Sequence, residues 1–285
     1  MTQRKEFFAP AKINLVLRVL FRRPDGYHEL FTIFQKITLF DRLKIELTET
    51  GLSLEVSGPV KVPLEGNLCL KAAEAFLATV GVKRGVKIEL YKEIPVGAGL
   101  GGGSSDAAAV LKALNELCRY PLTESDLLKL ARSIGADVPF FISSQSTALA
   151  RGIGDLLQPW PTHEAWYLLV FPGFEISTTW AYQNLRLTTR RKPPNYEPAQ
   201  PLWEQGLVND FETVVFEAYP VLKTIKNFLL ELGAVAALLS GSGATVFGVF
   251  EEQKKAQKAK EAIEKRGFKA LVVTNFREEE QGHVH

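Results

Sequence analysis

The sequence predicts an α+β fold, antiparallel strands with helices packed mainly on one side. Three observations carry this. Residues 86–94 alternate Val86, Ile88 and Leu90 with Lys87, Glu89 and Tyr91, the two-residue period of a strand with one wet face. Short strand patterns of this kind recur along the chain, separated by turn residues. Between them lie runs with apolar residues three and four apart, as in amphipathic helices.

In chain order, residues 8–20 read as a strand. After Pro10, Ile13, Leu15, Leu17 and Val19 alternate with Asn14, Val16 and Arg18. That period places Lys12 and Asn14 on one face, opposite the apolar one. A lysine at a strand start is either solvated or functional. Arg23-Pro24-Asp25-Gly26 is a turn by composition. Tyr27 and His28 follow at once, either a core tyrosine beside an exposed histidine or a pair that stacks on and hydrogen-bonds a flat polar ring. Residues 34–40, 43–47 and 52–56 read as separate strands. Asn67 caps a helix to about Val80, closed by Gly81.

The strand at 86–94 leads into PVGAGLGGGSSD at 95–106, and a helical pattern at 105–117 follows. Glycines let backbone N–H groups converge on one point, and a helix start adds unpaired donors and a positive dipole end. Such a loop suits a phosphate. Gly97, Gly99 and Gly102 satisfy G-x-G-x-x-G, but a dinucleotide fingerprint needs a continuous apolar strand before it and an acidic residue ending a second strand about 20 positions on. Glu116, near that distance, lies in the helical run. The Walker lysine is replaced by Gly103, and a protein-kinase glycine loop leads into a strand, not a helix. The helix buries Ala107, Val110, Leu111, Leu114 and Leu117, with Asp106 in its first turn facing the dipole. Thr123 and Asp126 form a capping box opening a helix to about Ile134.

Asp137 lies in GADVPFF at 135–141. An aspartate in apolar company is either a cap or a charged group with a partner, and Lys12 is a candidate partner. Residues 147–150 and 166–171 read as strands. Thr178 caps a short helix containing Tyr182. RRKPPNYEPAQP at 190–201 reads as a linker. Helical patterns at 209–218 and 221–232 follow. Strands at 234–239 and 245–250 flank Ser240-Gly241-Ser242-Gly243, a hairpin turn by local composition. A charged helix at 252–265, a strand at 269–275 and a tail expected to be mobile close the chain.

Among 285 residues, 46% are hydrophobic and 23% charged, and the net charge is +2, so no field favours nucleic acid. Two cysteines, Cys69 and Cys118, make no disulfide framework, and no apolar run spans a membrane or forms a signal core. A cytoplasmic location is expected.

Four segments, PAKINLVL at 10–17, PVGAGLGGGSSDAA at 95–108, GADVPFF at 135–141 and LSGSGATVF at 239–247, resemble the GHMP kinases in order and spacing. RPDGYHEL at 23–30 resembles the branch of that family acting on a cytidine diphosphate sugar alcohol. The resemblance implies a two-lobed fold, an S5-like N-terminal domain over 1–160 and a ferredoxin-like C-terminal domain over 161–285, with the active site in the cleft between. It implies transfer of the ATP γ-phosphoryl group to the 2-hydroxyl of that substrate, in isoprenoid precursor synthesis. Lys12 and Asp137 fall on the family's catalytic pair. Pro95, Val96, Gly97, Ala98, Gly99, Leu100, Gly101, Gly102, Gly103, Ser104 and Ser105 fall on the ATP phosphate loop, and Asn67 and Lys92 beside the adenosine. Asn14, Tyr27, His28, Tyr182, Gly241 and Ser242, with Asp137, fall on the substrate side. Mg²⁺ is implied, with Ser104 or Ser105 able to lend an oxygen and no carboxylate standing out as ligand. The implied partners are ATP and a small molecule, with no nucleic acid, membrane or obligate protein partner. A homoserine- or mevalonate-type kinase of the same family, or a non-catalytic binder on the scaffold, are the alternatives. Tyr27-His28 argues against the first, retention of both Lys12 and Asp137 against the second.

Overall fold

The computed structural model describes residues 4–187 and 190–277, which gather into two units that are not consecutive in sequence. The first draws on the described part of 1–11 with Leu39–Val96 and Gly101–Ser144. The second draws on Lys12–Thr38, Gly97–Leu100 and the described part of 145–285. Two long neighbouring strands, β1 (Arg4–Arg22) and β2 (His28–Thr48), give residues to both. They are joined by the expected turn, where Arg23 N–H donates to the Tyr27 carbonyl and Gly26 takes φ +88°.

In the first unit β4 (Gly85–Tyr91) pairs antiparallel with β2, from Arg42 opposite Tyr91 to Thr48 opposite Gly85. On its other side β3 (Leu52–Ser57) runs parallel. Val86, Ile88 and Leu90 are buried as their spacing predicts. Residues 34–40 and 43–47 are not separate strands but parts of β2. The Asp41-Arg42 pair between them reads as a turn, yet Asp41 is fully buried and accepts the N–H groups of Glu93 and Ile94 at 2.7 and 2.9 Å. The helices are α1 (Leu68–Val80), α2 (Gly102–Leu117), α3 (Glu124–Ile134) and α4 (Val138–Ile142). Asn67 caps α1 through the Cys69 N–H and Gly81 closes it at φ +68°, as expected. The Thr123 hydroxyl caps α3 through the Asp126 N–H. Helix α2 begins three residues before the predicted start, because Gly101 at φ +69° is its N-cap and small residues fit the turn. Asp106 therefore lies beyond the first turn, and its partner is a lysine rather than the dipole.

The second unit pairs β2 with β5 (Thr147–Gly152), and β5 with the unforeseen β6 (Leu156–Pro159). Strand β1 pairs in parallel with the two-residue β8 (Val208–Asn209). A separate antiparallel sheet runs β11-β7-β10-β9, comprising β7 (Trp166–Phe171), β9 (Ala236–Leu239), β10 (Val246–Phe250) and β11 (Lys269–Thr274). Helices α8 (Pro220–Glu231) and α9 (Gln253–Glu264) pack on it, burying Leu222, Leu229 and Ile263 with Leu168, Val170 and Phe250. Three short helices, α5 (Thr178–Asn184), α6 (Leu202–Gln205) and α7 (Glu212–Ala218), complete the unit. The cap of α5 is Ser177, one residue before the expected Thr178. The proline-rich 190–201 stretch lacks regular structure but is no free tether: Arg191 N–H donates to the Leu20 carbonyl, and its guanidinium pairs with the buried Asp210 at 2.8 Å. Of the tail, 278–285 lies outside the described residues.

Candidate active site

The strand face carrying Lys12 and Asn14 is not wet. Lys12 is 4% and Asn14 2% exposed, and an ammonium so buried needs acceptors. It donates to Asn14 Oδ1 at 2.7 Å and to the Gly99 carbonyl at 3.0 Å, and its charge lies 5.4 Å from the centre of the Phe34 ring. Asn14 is aimed in turn by donating to Thr32 Oγ1, which donates to the Val16 carbonyl. Asn14 thus orients Lys12. The Gly97–Leu100 part of the loop is fixed at the same place. Lys12 N–H donates to the Leu100 carbonyl, Thr245 N–H to Ala98, and the Ser240 hydroxyl to Gly99. Gly97 and Gly99 take φ +62° and +74°, and a Cβ on Gly99 would come within 2.0 Å of the Ser240 carbonyl. Only glycine fits there.

Across the 240–243 turn, Gly241 sits at φ +57° and Ser242 shares a hydrogen bond with Thr178 at 2.9 Å. The turn is a β9–β10 hairpin, as composition predicts. It is also packed on the loop, since a Cβ on Gly241 would meet Gly99 at 3.1–3.2 Å and Lys12 Nζ at 3.5 Å.

In the first unit, Gly101, Gly102, Gly103, Ser104 and Ser105 make the helix start, whose leading N–H groups have no partner within the helix. Pro95 and Val96 close β4's exit. Beneath lies an ion cluster that sequence reasoning missed. Lys92, 2% exposed, donates to Asp41 at 2.5 Å and to Asp106 at 2.7 Å. Burial works to lower the Lys92 pKa, but the Asp106 and Asp41 charges outweigh it and hold the ammonium above its ordinary value. Burial pushes Asp106 up to about 8, Lys92 opposes this, and Asp41 adds to it. Lys92 therefore spends its charge inside the protein. A polar residue interrupting the apolar run of β2 was the signal for Asp41. The Ser105 hydroxyl is buried with no hydrogen-bond partner, an oxygen of the kind a magnesium ion takes. Among the described residues, no three or more His, Cys, Asp or Glu group together to hold a metal.

Asp137 is half-buried just before α4, and its carboxylate makes no capping bond to that helix. Asp137 therefore stands at the N-cap position of α4 without a side-chain bond to it. A Cβ on Gly135 would lie 4.0 Å from the Ser104 hydroxyl, so this segment runs beside the start of α2.

His28 stacks on Tyr182 with ring centres 4.9 Å apart and planes 21° apart, and Tyr182 meets Phe211 edge-on at 4.8 Å. Tyr27 is 61% exposed. Burial, then the Arg22 charge, lowers the His28 pKa. Its imidazole is neutral at ordinary pH and offers one donor and one acceptor. Asn67 spends its side chain on capping α1.

Glycine-ordered backbone donors at a helix start are the equipment of a protein that holds a phosphate group. The chain belongs to the GHMP kinases. Family profiles match "GHMP kinases N terminal domain" over residues 67–145 and "GHMP kinases C terminal" over 196–269. A curated relative from Syntrophotalea carbinolica, named 4-diphosphocytidyl-2-C-methyl-D-erythritol kinase, is 45% identical over 94% of this chain and 98% of its own. One of the same name from Geobacter sulfurreducens is 46% identical over 93% and 96%. The crystal structure of a 4-(cytidine 5'-diphospho)-2C-methyl-D-erythritol kinase aligns with TM-score 0.81 and 39% identity, covering 95% of this chain and 98% of that one. A homoserine kinase from Cytophaga hutchinsonii, at 20% identity and TM-score 0.68, shares the fold. Family membership implies ATP as phosphoryl donor to a small molecule. No helix among the described residues is long and apolar enough to cross a membrane.

Proposed function

We propose that the chain transfers the γ-phosphoryl group of ATP to the 2-hydroxyl of 4-diphosphocytidyl-2-C-methyl-D-erythritol, giving the 2-phosphate and ADP. The observation that carries this is the likeness to kinases of that name, near 45% identity over almost the whole chain. Asp137 accepts the hydroxyl proton as the oxygen attacks phosphorus. Lys12, held by Asn14 and the Gly99 carbonyl, offsets negative charge at the reacting centre. Residues 95–105 cradle the ATP phosphates with backbone donors. Neutral His28 reads the cytosine edge, while Tyr27 and Tyr182 supply faces for stacking. Gly241 and Ser242 approach the phosphates or the sugar alcohol. Asn67 and Lys92 border the adenosine. The Ser105 hydroxyl would help hold magnesium, which when bound would supply charge neutralisation on the phosphates. The work is cytoplasmic, in isoprenoid precursor synthesis, and needs no protein partner.

The test is ADP release with ATP and each of four acceptors: the cytidine substrate, its uridine analogue, homoserine and mevalonate. Turnover should be confined to the cytidine compound, because uracil reverses donor and acceptor on the ring edge. Equal use of cytidine and uridine compounds sinks the base assignment, and faster turnover of homoserine or mevalonate sinks the substrate.

A further inference from the structure

Residues 209–212 lie outside every segment assigned a catalytic or binding role above, yet the side chains of Asn209 and Glu212 hold the backbone at 239–241. Asn209 is 3% exposed and fixed by β8 pairing, opposite Leu17 of β1. Its amide donates to the carbonyls of Leu239 and Gly241, both at 2.7 Å, and its Oδ1 accepts the Phe211 N–H at 2.9 Å. Glu212 accepts the Leu239 N–H at 3.0 Å while held by Lys226 at 2.6 Å. Both amide protons of one buried side chain are thus committed to two carbonyls flanking Ser240. Ser240 and Lys12 both donate to the Gly99 carbonyl, and Gly241 packs closely on Gly99, where an added Cβ would come within 3.1–3.2 Å of its backbone.

We propose that Asn209 is a positioning residue for phosphoryl transfer: by pinning the Leu239 and Gly241 carbonyls it fixes the turn that holds the Gly99 carbonyl, and so aims the Lys12 ammonium. The inference rests on the reading that Lys12 serves the reaction. Without the two donors, two buried carbonyls lose partners and the turn relaxes toward other acceptors and water. A displacement of about 1 Å at Lys12 is enough to cost up to about 100-fold in rate. The same segment places Phe211 against Tyr182, so substrate binding is a separate readout on the same few residues.

The experiment compares parent, Asn209→Ala, Lys12→Met and the double variant in kcat, with affinity and stoichiometry for the cytidine substrate measured by calorimetry. Asn209→Ala should lower kcat about 10- to 100-fold while binding one substrate per chain with affinity within about threefold of parent. The double variant should be no slower than Lys12→Met, since both changes remove the same contribution. Asn209→Ser, which keeps one donor in a smaller side chain, should fall between and serves if Asn209→Ala does not fold. Parent-like kcat in Asn209→Ala, or in Asn209→Ser where it stands alone, overturns the inference. So does a loss of kcat matched by lost binding stoichiometry, or additive losses in the double variant. If Lys12→Met itself retains parent turnover, the fault lies in the Lys12 reading instead.

Discussion

Replacing Asp106 with asparagine tests the charge state of the buried cluster under the loop. One ammonium faces two carboxyls. Asp41 collects two backbone N–H groups as well as Lys92, whereas Asp106 receives Lys92, has the Asp41 carboxyl within hydrogen-bond reach, and receives no backbone N–H on its buried Oδ1. Asp106 is therefore the group that keeps its proton, and its pKa stands at about 8 against an ordinary 3.8. Folded enzyme binds a proton that the unfolded chain has released, so stability is full below about pH 4 and is lost as pH rises toward 8. At about 1.4 kcal/mol per unit, four units amount to on the order of 5 kcal/mol, a large share of a typical domain's 5–15 kcal/mol. Asparagine has the shape of the protonated acid and does not titrate. The assay is thermal unfolding from about pH 5 to pH 8. The midpoint difference between Asp106→Asn and parent should widen in the variant's favour by about 10 °C over that range. Parallel pH profiles would refute the reasoning, for they would mean that Asp106 is ionised throughout or that its titration does not differ between the two states. Cys69 is a further titratable group beside the cluster; burial first, then the Asp106 charge, raise its pKa well above its usual range, so it stays neutral across the scan.

Asp137→Asn should keep binding of ATP and acceptor and lose about 10² to 10⁴ in turnover, the usual cost of a general base; single-turnover kinetics at saturating substrates would show it, and turnover within a few-fold of parent would remove Asp137 from the chemistry. Gly99→Ala must move either the loop or the Ser240 carbonyl 2.0 Å from the new Cβ, at φ +74°, so kcat/KM for ATP should fall at least about tenfold. Gly103→Ala, whose Cβ would meet only Leu68 at 3.8 Å, should fold as stably as parent in the same melting experiment. His28→Ala should weaken binding of the cytidine substrate about 10- to 100-fold while leaving ATP affinity alone. In the parent, calorimetry should show affinity flat above neutral pH and falling only in acid, as an imidazole with a lowered pKa gains its proton.

Local spacing determined a good part of this protein. The strand, glycine loop and helix around residues 86–117, the Asn67 cap with Gly81 at the far end, the Thr123 cap and the hairpin at 240–243 follow from residues a few positions apart. These rest on backbone sterics and helix-end hydrogen bonds, which are local forces. Motifs at 10–17, 95–108 and 135–141 likewise named Lys12, the loop and Asp137. What Lys92, Asp41 and Asn209 do was settled by partners far along the chain: Asp41 is 51 residues from Lys92, and Asn209 is 30 and 32 residues from its two carbonyls. Asp41-Arg42 has the composition of a turn, and only burial against the exit of β4 makes it an anchor inside one strand. A buried polar group takes whichever partner the packing brings within reach, and sequence spacing carries no record of that choice.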